Sequence, residues 1–149
     1  MTTTAPRADG RTIALAHYAS RAVLEHVLTP HGIDYLQSIA LRLTAVANGP
    51  VERADLAYGV VSAVKADEGD ARRAIEGLAA AGLIAPEGPS SVRITAAGRE
   101  LCATTSAEAA VFSARLYAGI PEEDRAAAGR VLSLVTERAD AELAALRRQ

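Results

Sequence analysis

The sequence predicts a mainly α-helical chain with one small β-hairpin, and three observations carry that prediction. Ala fills 34 of 149 positions while aromatic residues fill five; Ala is the strongest helix former, so this bias favours closely packed helices. Apolar residues recur at helical spacing along most of the chain. Only between Leu83 and Thr95 does the period shorten to two, the alternation of a strand. At 149 residues the chain makes about one domain, with enough length for a conventional core.

Taken in order, residues 1–9 are polar and predict a frayed end. Ile13, His17, Leu24, Val27 and Leu28 predict a helix over 10–28. Thr29-Pro30 reads as the start of a second helix, with Thr as N-cap and Pro at the first helical position. Its inward side would be Ile33, Leu36, Ile39, Ala40, Leu43 and Val46, and Asn48-Gly49-Pro50 would stop it. Residues 53–64 predict a short third helix. Asp67 caps a fourth, with Ala71, Ala74, Ile75 and Leu78 inward and Arg72, Arg73 and Glu76 outward; Gly82 ends it. Leu83-Ile84-Ala85 and Ser91–Thr95 form the hairpin. Thr95 then caps a long fifth helix through Leu101, Phe112 and Tyr117, which Gly119-Ile120-Pro121 breaks. A last helix carries the stripe Val131, Leu134, Val135, Leu143 and Leu146.

Several function classes are excluded. The longest uncharged run, Gly77 to Pro86, is ten residues, against about 20 for a membrane-spanning helix. The start, MTTTAPRADG, lacks the apolar centre of a signal peptide. The expectation is a cytoplasmic protein with no membrane partner. One cysteine, Cys102, allows no internal disulfide and no Cys-rich zinc site, and on a helix it reads as a small buried hydrophobe. His17 and His26 fall on opposite sides of one helix, which does not suit a shared metal ion. Neither a nucleophile elbow nor a P-loop, dinucleotide fingerprint or zinc-protease motif is present, so neither an enzyme nor a cofactor is expected.

A helix-turn-helix closed by a hairpin is a winged helix, here placed after one helix and before two long ones. Its framing residues are Leu28-Thr29-Pro30, Gly49-Pro50-Val51 with Ala54-Asp55-Leu56-Ala57, Leu78 to Ile84 (LAAAGLI) and Ile94 to Leu101 (ITAAGREL). In this order and spacing the chain resembles the MarR family of bacterial transcription regulators. The resemblance implies a single domain over 1–149, with dimerisation helices over 10–28 and 101–149 around a winged helix-turn-helix over 29–100. It also implies a homodimer on a palindromic site in double-stranded DNA, acting as a ligand-responsive repressor. Arg72 and Arg73 on the fourth helix, Lys65 before it and Arg93 in the wing are the expected DNA contacts. His17, Tyr18, Tyr35 and Tyr117 would line a pocket for a small aromatic or phenolic effector. Independently, the apolar stripes of the last two helices exceed what a chain of this length covers by itself.

The sequence departs from the family in charge. Its reading helix opens with Asp67-Glu68-Gly69-Asp70, and its wing lacks the family's arginines apart from Arg93 nearby. Residues 32–100 hold seven basic and nine acidic residues. Since phosphate neutralisation supplies most non-specific affinity, the alternative is a winged-helix dimer that has lost DNA binding. Such a dimer would serve as a small-molecule-binding or protein-interaction module.

Overall fold

Asp9 opens the first helix of the computed structural model, which describes residues 4–149. Its carboxylate accepts from the Thr12 backbone N–H at 2.8 Å, and that bond holds the acid below its ordinary range. Helix α1 runs Gly10–Leu28. The first three positions of the expected frayed end lie outside the described residues.

The helix start expected at Thr29-Pro30 is overturned. Thr29–His31 is a single 3₁₀ turn closed by Gly32 at φ 75°, and the Thr29 hydroxyl donates back to the Glu25 carbonyl at 2.7 Å. Helix α2, Tyr35–Ala47, is opened instead by Asp34. Its carboxylate accepts from the Gln37 N–H at 2.8 Å, while the Asp34 N–H donates to the Gln37 side chain at 2.9 Å. This reciprocal box satisfies two N–H groups, whereas the threonine hydroxyl is already engaged. Asn48, at φ 50°, stops α2 as expected. Val46 does not face inward: it is 78% exposed, and Leu41 and Thr44 are buried in its stead. Thr44 tolerates burial because its hydroxyl donates to the Ala40 carbonyl at 2.7 Å.

Val51–Glu52 forms strand β1, which the sequence did not disclose because two residues are too few to show alternation. Helix α3 follows over Arg53–Val64, then α4 over Glu68–Ala80, β2 over Ile84–Glu87 and β3 over Ser91–Ile94. The strand order is β1-β3-β2, antiparallel throughout, with Val51 opposite Val92 and Ile84 opposite Ile94. The expected hairpin is therefore part of a three-stranded sheet.

Asp67 caps α4 by accepting from the Asp70 N–H at 3.3 Å. At the other end Gly82 takes φ 75°. The Leu83 N–H reaches the Leu78 carbonyl at 3.0 Å and the Gly82 N–H reaches Ala79 at 3.1 Å, the two bonds of a Schellman stop. Leu78 and Leu83 join one core with Leu28, Leu41, Leu56, Val60, Ile84 and Val92. Burying a side chain of that size contributes about 1.5–3 kcal/mol.

The Thr95 hydroxyl accepts from the Gly98 N–H at 3.0 Å and donates to the Gly82 carbonyl at 2.7 Å, so one residue starts α5 and ties it to the end of α4. Helix α5 spans Ala96–Tyr117 and α6 spans Glu122–Arg147. The chain divides into two units, Ser20–Ser113 and the residues up to Ala19 with Ala114–Gln149. The first holds the winged helix and its core. In the second, no α6 side chain is buried, and Val131, Leu134 and Val135 stay 43–44% exposed. No helix among the described residues is long and apolar enough to cross a membrane.

Gly98 is required by contact. A Cβ there would fall 2.0 Å from the Leu83 carbonyl oxygen and 2.8 Å from Ile94 Cγ1. Gly98→Ala is expected to destabilise the fold by about 2–3 kcal/mol through overpacking, read as a lower urea midpoint; an unchanged midpoint would contradict this packing.

Candidate nucleic-acid interface

The inward stripe of α4 is Ala71, Ala74, Ile75 and Leu78, as the sequence predicted. Two alanines let α4 approach its neighbours closely, and their burial turns the charged positions outward. Asp67, Glu68 and Asp70 sit at the positive end of the helix dipole, where negative charge is favoured.

Every basic residue expected to touch DNA already has an acceptor within the chain. Arg72 donates through Nε (3.2 Å) and Nη2 (2.8 Å) to a single oxygen, Oε1 of Glu68, one turn back. Arg73 pairs with Asp70. Arg93 on β3 pairs with Glu87 on β2 at 3.1 Å; the register places both on the outward face of the sheet, diagonally related. Lys65 takes the left-handed position that ends α3, φ 55°, and its ammonium donates to the Ser62 carbonyl. All four side chains are exposed. Exposed pairs of this kind contribute about 0–1 kcal/mol, so a competing acceptor displaces them readily. Glu68 and Arg72 stand at the favourable i,i+4 spacing.

The base of the wing is held by a contact that sequence did not disclose. The Ser90 and Ser91 hydroxyls donate to Glu52, which keeps its carboxyl below the ordinary range. The Arg53 N–H, in the first turn of α3, donates to the Ser90 carbonyl at 2.9 Å.

The four expected effector residues are divided between the units, Tyr35 in Ser20–Ser113 and His17, Tyr18 and Tyr117 in the other. His17 and Tyr18 are exposed, with their rings 5.5 Å apart. Tyr35 lies under the Arg21 guanidinium at 4.1 Å and lines a cleft with Glu25, Ile33 and Gln37. Tyr117 lies under Arg125 at 4.5 Å in the other unit, beside Ile120 and Leu132. Both tyrosine faces are thus engaged by cations. Sequence reasoning missed a cavity of about 240 Å³ lined by Leu24, Leu28, Ser38, Arg42, Cys102, Thr105 and Ala109. Its residues come from α1, α2 and α5, so no local motif announces it. Cys102, expected as a small buried hydrophobe, packs against the core and is half-buried on the wall of this cavity.

No family model matches the chain, and no curated protein matches it. Solved structures do. A MarR-family transcriptional regulator from Rhodococcus sp. RHA1 superposes with a TM-score of 0.73 at 18% identity, covering 85% of this chain and 92% of that one. CouR from Rhodococcus jostii RHA1, solved with p-coumaroyl-CoA, gives 0.73 at 18%, covering 90% and 96%. A MarR-family protein from Mycobacterium tuberculosis, in complex with p-aminosalicylic acid, gives 0.66 at 21%, covering 88% and 98%. The chain has the winged helix-turn-helix fold of these regulators, over nearly its whole length.

The Glu52 contacts set a pH test. A carboxyl held low in the fold adds stability above its ordinary range, and loses that contribution as pH falls through the lowered midpoint. Ser90→Ala and Ser91→Ala are each expected to move the Glu52 midpoint upward, read by carboxyl NMR titration; no movement would remove the hydroxyls as its cause.

Proposed function

We propose that this chain is a homodimeric, cytoplasmic DNA-binding transcriptional regulator, a repressor released by a small effector. The observation that carries the reading is α4 of a winged helix, packed by its alanine face and presenting Arg72 and Arg73 outward. A helix so placed suits the major groove. Two copies related by a two-fold axis would meet a palindromic site in double-stranded DNA. Lys65 and Arg93 are assigned phosphate contacts beside it.

The dimer is supported by apolar surface left open in the unit that contains α6. Leu116 is 51% exposed and Leu146 62%, in addition to the α6 residues above. Patches of that kind mark association surfaces.

The effector is assigned to the cavity bounded by α1, α2 and α5. Its volume of about 240 Å³ lies just under the range of roughly 300–1,000 Å³ for drug-sized sites, which suits a small aromatic or phenolic molecule. Two structural neighbours were solved with aromatic ligands, CouR with p-coumaroyl-CoA and the Mycobacterium tuberculosis protein with p-aminosalicylic acid, of which the second is a small phenolic acid. Of the four residues that resemblance suggested, Tyr35 belongs to the same unit as this cavity; His17, Tyr18 and Tyr117 belong to the other.

A second reading is favoured by one specific observation: Arg72, Arg73 and Arg93 each carry an internal carboxylate partner. A winged-helix dimer whose three outward arginines are neutralised internally would serve as a ligand-binding or protein-interaction module instead.

Selection from random or genomic duplexes separates the two. The regulator reading expects a palindromic consensus, and Arg72→Ala and Arg73→Ala are expected to weaken binding by about 1–3 kcal/mol where a base contact is lost. Absence of any selected sequence at low salt would favour the interaction module. In sedimentation the wild type is expected to be a dimer, and Leu134→Asp to give monomer or aggregate; a stable wild-type monomer would end the dimer reading.

A further inference from the structure

We propose that Glu68 and Arg72 form one reading unit that recognises a single G·C base pair in the major groove, with Glu68 as a specificity-determining residue. The inference rests on the DNA-binding reading above.

Three features of α4 point to it. First, Glu68 engages Arg72 through Nε and Nη2, the side-on edge of the guanidinium. That leaves the end-on edge, with its two parallel N–H groups, directed to a second acceptor. Both bonds fall on one carboxylate oxygen, Oε1, so Oε2 stands ready for a donor. Secondly, the pair is solvent-facing, at 55% and 67% side-chain exposure, in the first two turns of the helix. Thirdly, the face opposite is buried through Ala71, Ala74, Ile75 and Leu78, which fixes the side of the helix on which the pair stands.

The major-groove edge of a G·C pair presents two adjacent acceptors, guanine N7 and O6, and then a donor, cytosine N4. That is the complement of an end-on arginine fork beside a carboxylate oxygen. An A·T pair places the adenine N6 donor between its acceptors, so the fork loses a bond. A phosphate offers acceptors alone, and drawing Arg72 to it brings the Glu68 charge toward another anion. The carboxylate therefore suppresses backbone binding while permitting one base pair. Asp70, paired with Arg73 in the same turn, adds to that suppression. This arrangement accounts for an acidic opening on a helix meant to read a polyanion.

The test compares wild type with Glu68→Gln, Asp70→Asn and the control Glu76→Gln. Glu76 is exposed further along α4, and its replacement removes the same charge without dissolving an arginine pair. Binding is measured by fluorescence anisotropy on the selected duplex, on versions with each G·C pair of a half-site replaced in turn by A·T, and on a random duplex. Salt is varied from about 50 to about 200 mM. Melting by circular dichroism confirms that each variant is folded. Glu68→Gln is expected to lose roughly tenfold of discrimination at one G·C position. It should also bind random duplex several-fold tighter, with a salt slope steeper by about one per protomer. Asp70→Asn should tighten random binding alone, and Glu76→Gln should leave discrimination intact. If the wild type discriminates and Glu68→Gln discriminates equally, or if Glu76→Gln produces the same change, the proposal is overturned while the DNA-binding reading stands. If no protein prefers any duplex, that reading falls and the proposal with it.

Discussion

The packing of α4 by its alanine-rich stripe is the constraint on which the rest depends. Ala71 and Leu78 have no exposed surface and Ile75 has almost none. The same packing determines where the helix ends, because the Schellman stop returns Leu83 to the core beside Leu78 and sends the chain into β2. Thr95 then ties the start of α5 to Gly82. With one face of α4 anchored at both ends, Glu68, Asp70, Arg72 and Arg73 have only solvent, or a ligand, to face. Gln37 adds to the closeness on the α2 side: a Cβ at Gly77 would come within 2.5 Å of its amide nitrogen.

The charge pattern follows from that geometry. A helix that stands alone at a surface gains from acids in its first turn and from acid–base pairs at i,i+3 and i,i+4, and α4 has both. The acids that stabilise the helix therefore also sit beside its arginines. The outcome is an outward face on which acids and arginines pair with little net charge. Each such exposed pair is worth less than about 1 kcal/mol, so a competing charged or polar group can rearrange it.

Much of this was legible in the residues. Asp67 and Gly82 bound α4 in the sequence as they do in space, and the switch of period at Leu83 located the strands. What failed did so for local reasons. Thr29-Pro30 carries a helix-start signal, but Asp34 with Gln37 makes two bonds where Thr29 offers one. The face of α2 was misjudged at Val46 because Thr44, a polar residue, turns inward on a self-satisfied hydroxyl. Strand β1 exists only because β3 lies beside it. The cavity beside Arg42 and Cys102 draws on three helices far apart in the chain, and no window of sequence contains it. The outward face of Arg72 was legible in the sequence, while its pairing with Glu68 was found only in the structure.

The central claim, that two outward-facing α4 helices read successive major grooves, is tested most directly by hydroxyl-radical footprinting on a selected duplex. The account predicts two protected patches with centres about one helical turn apart, roughly 10–10.5 base pairs, related by the two-fold axis of the site. A single unbroken footprint, or none at low salt, would contradict it.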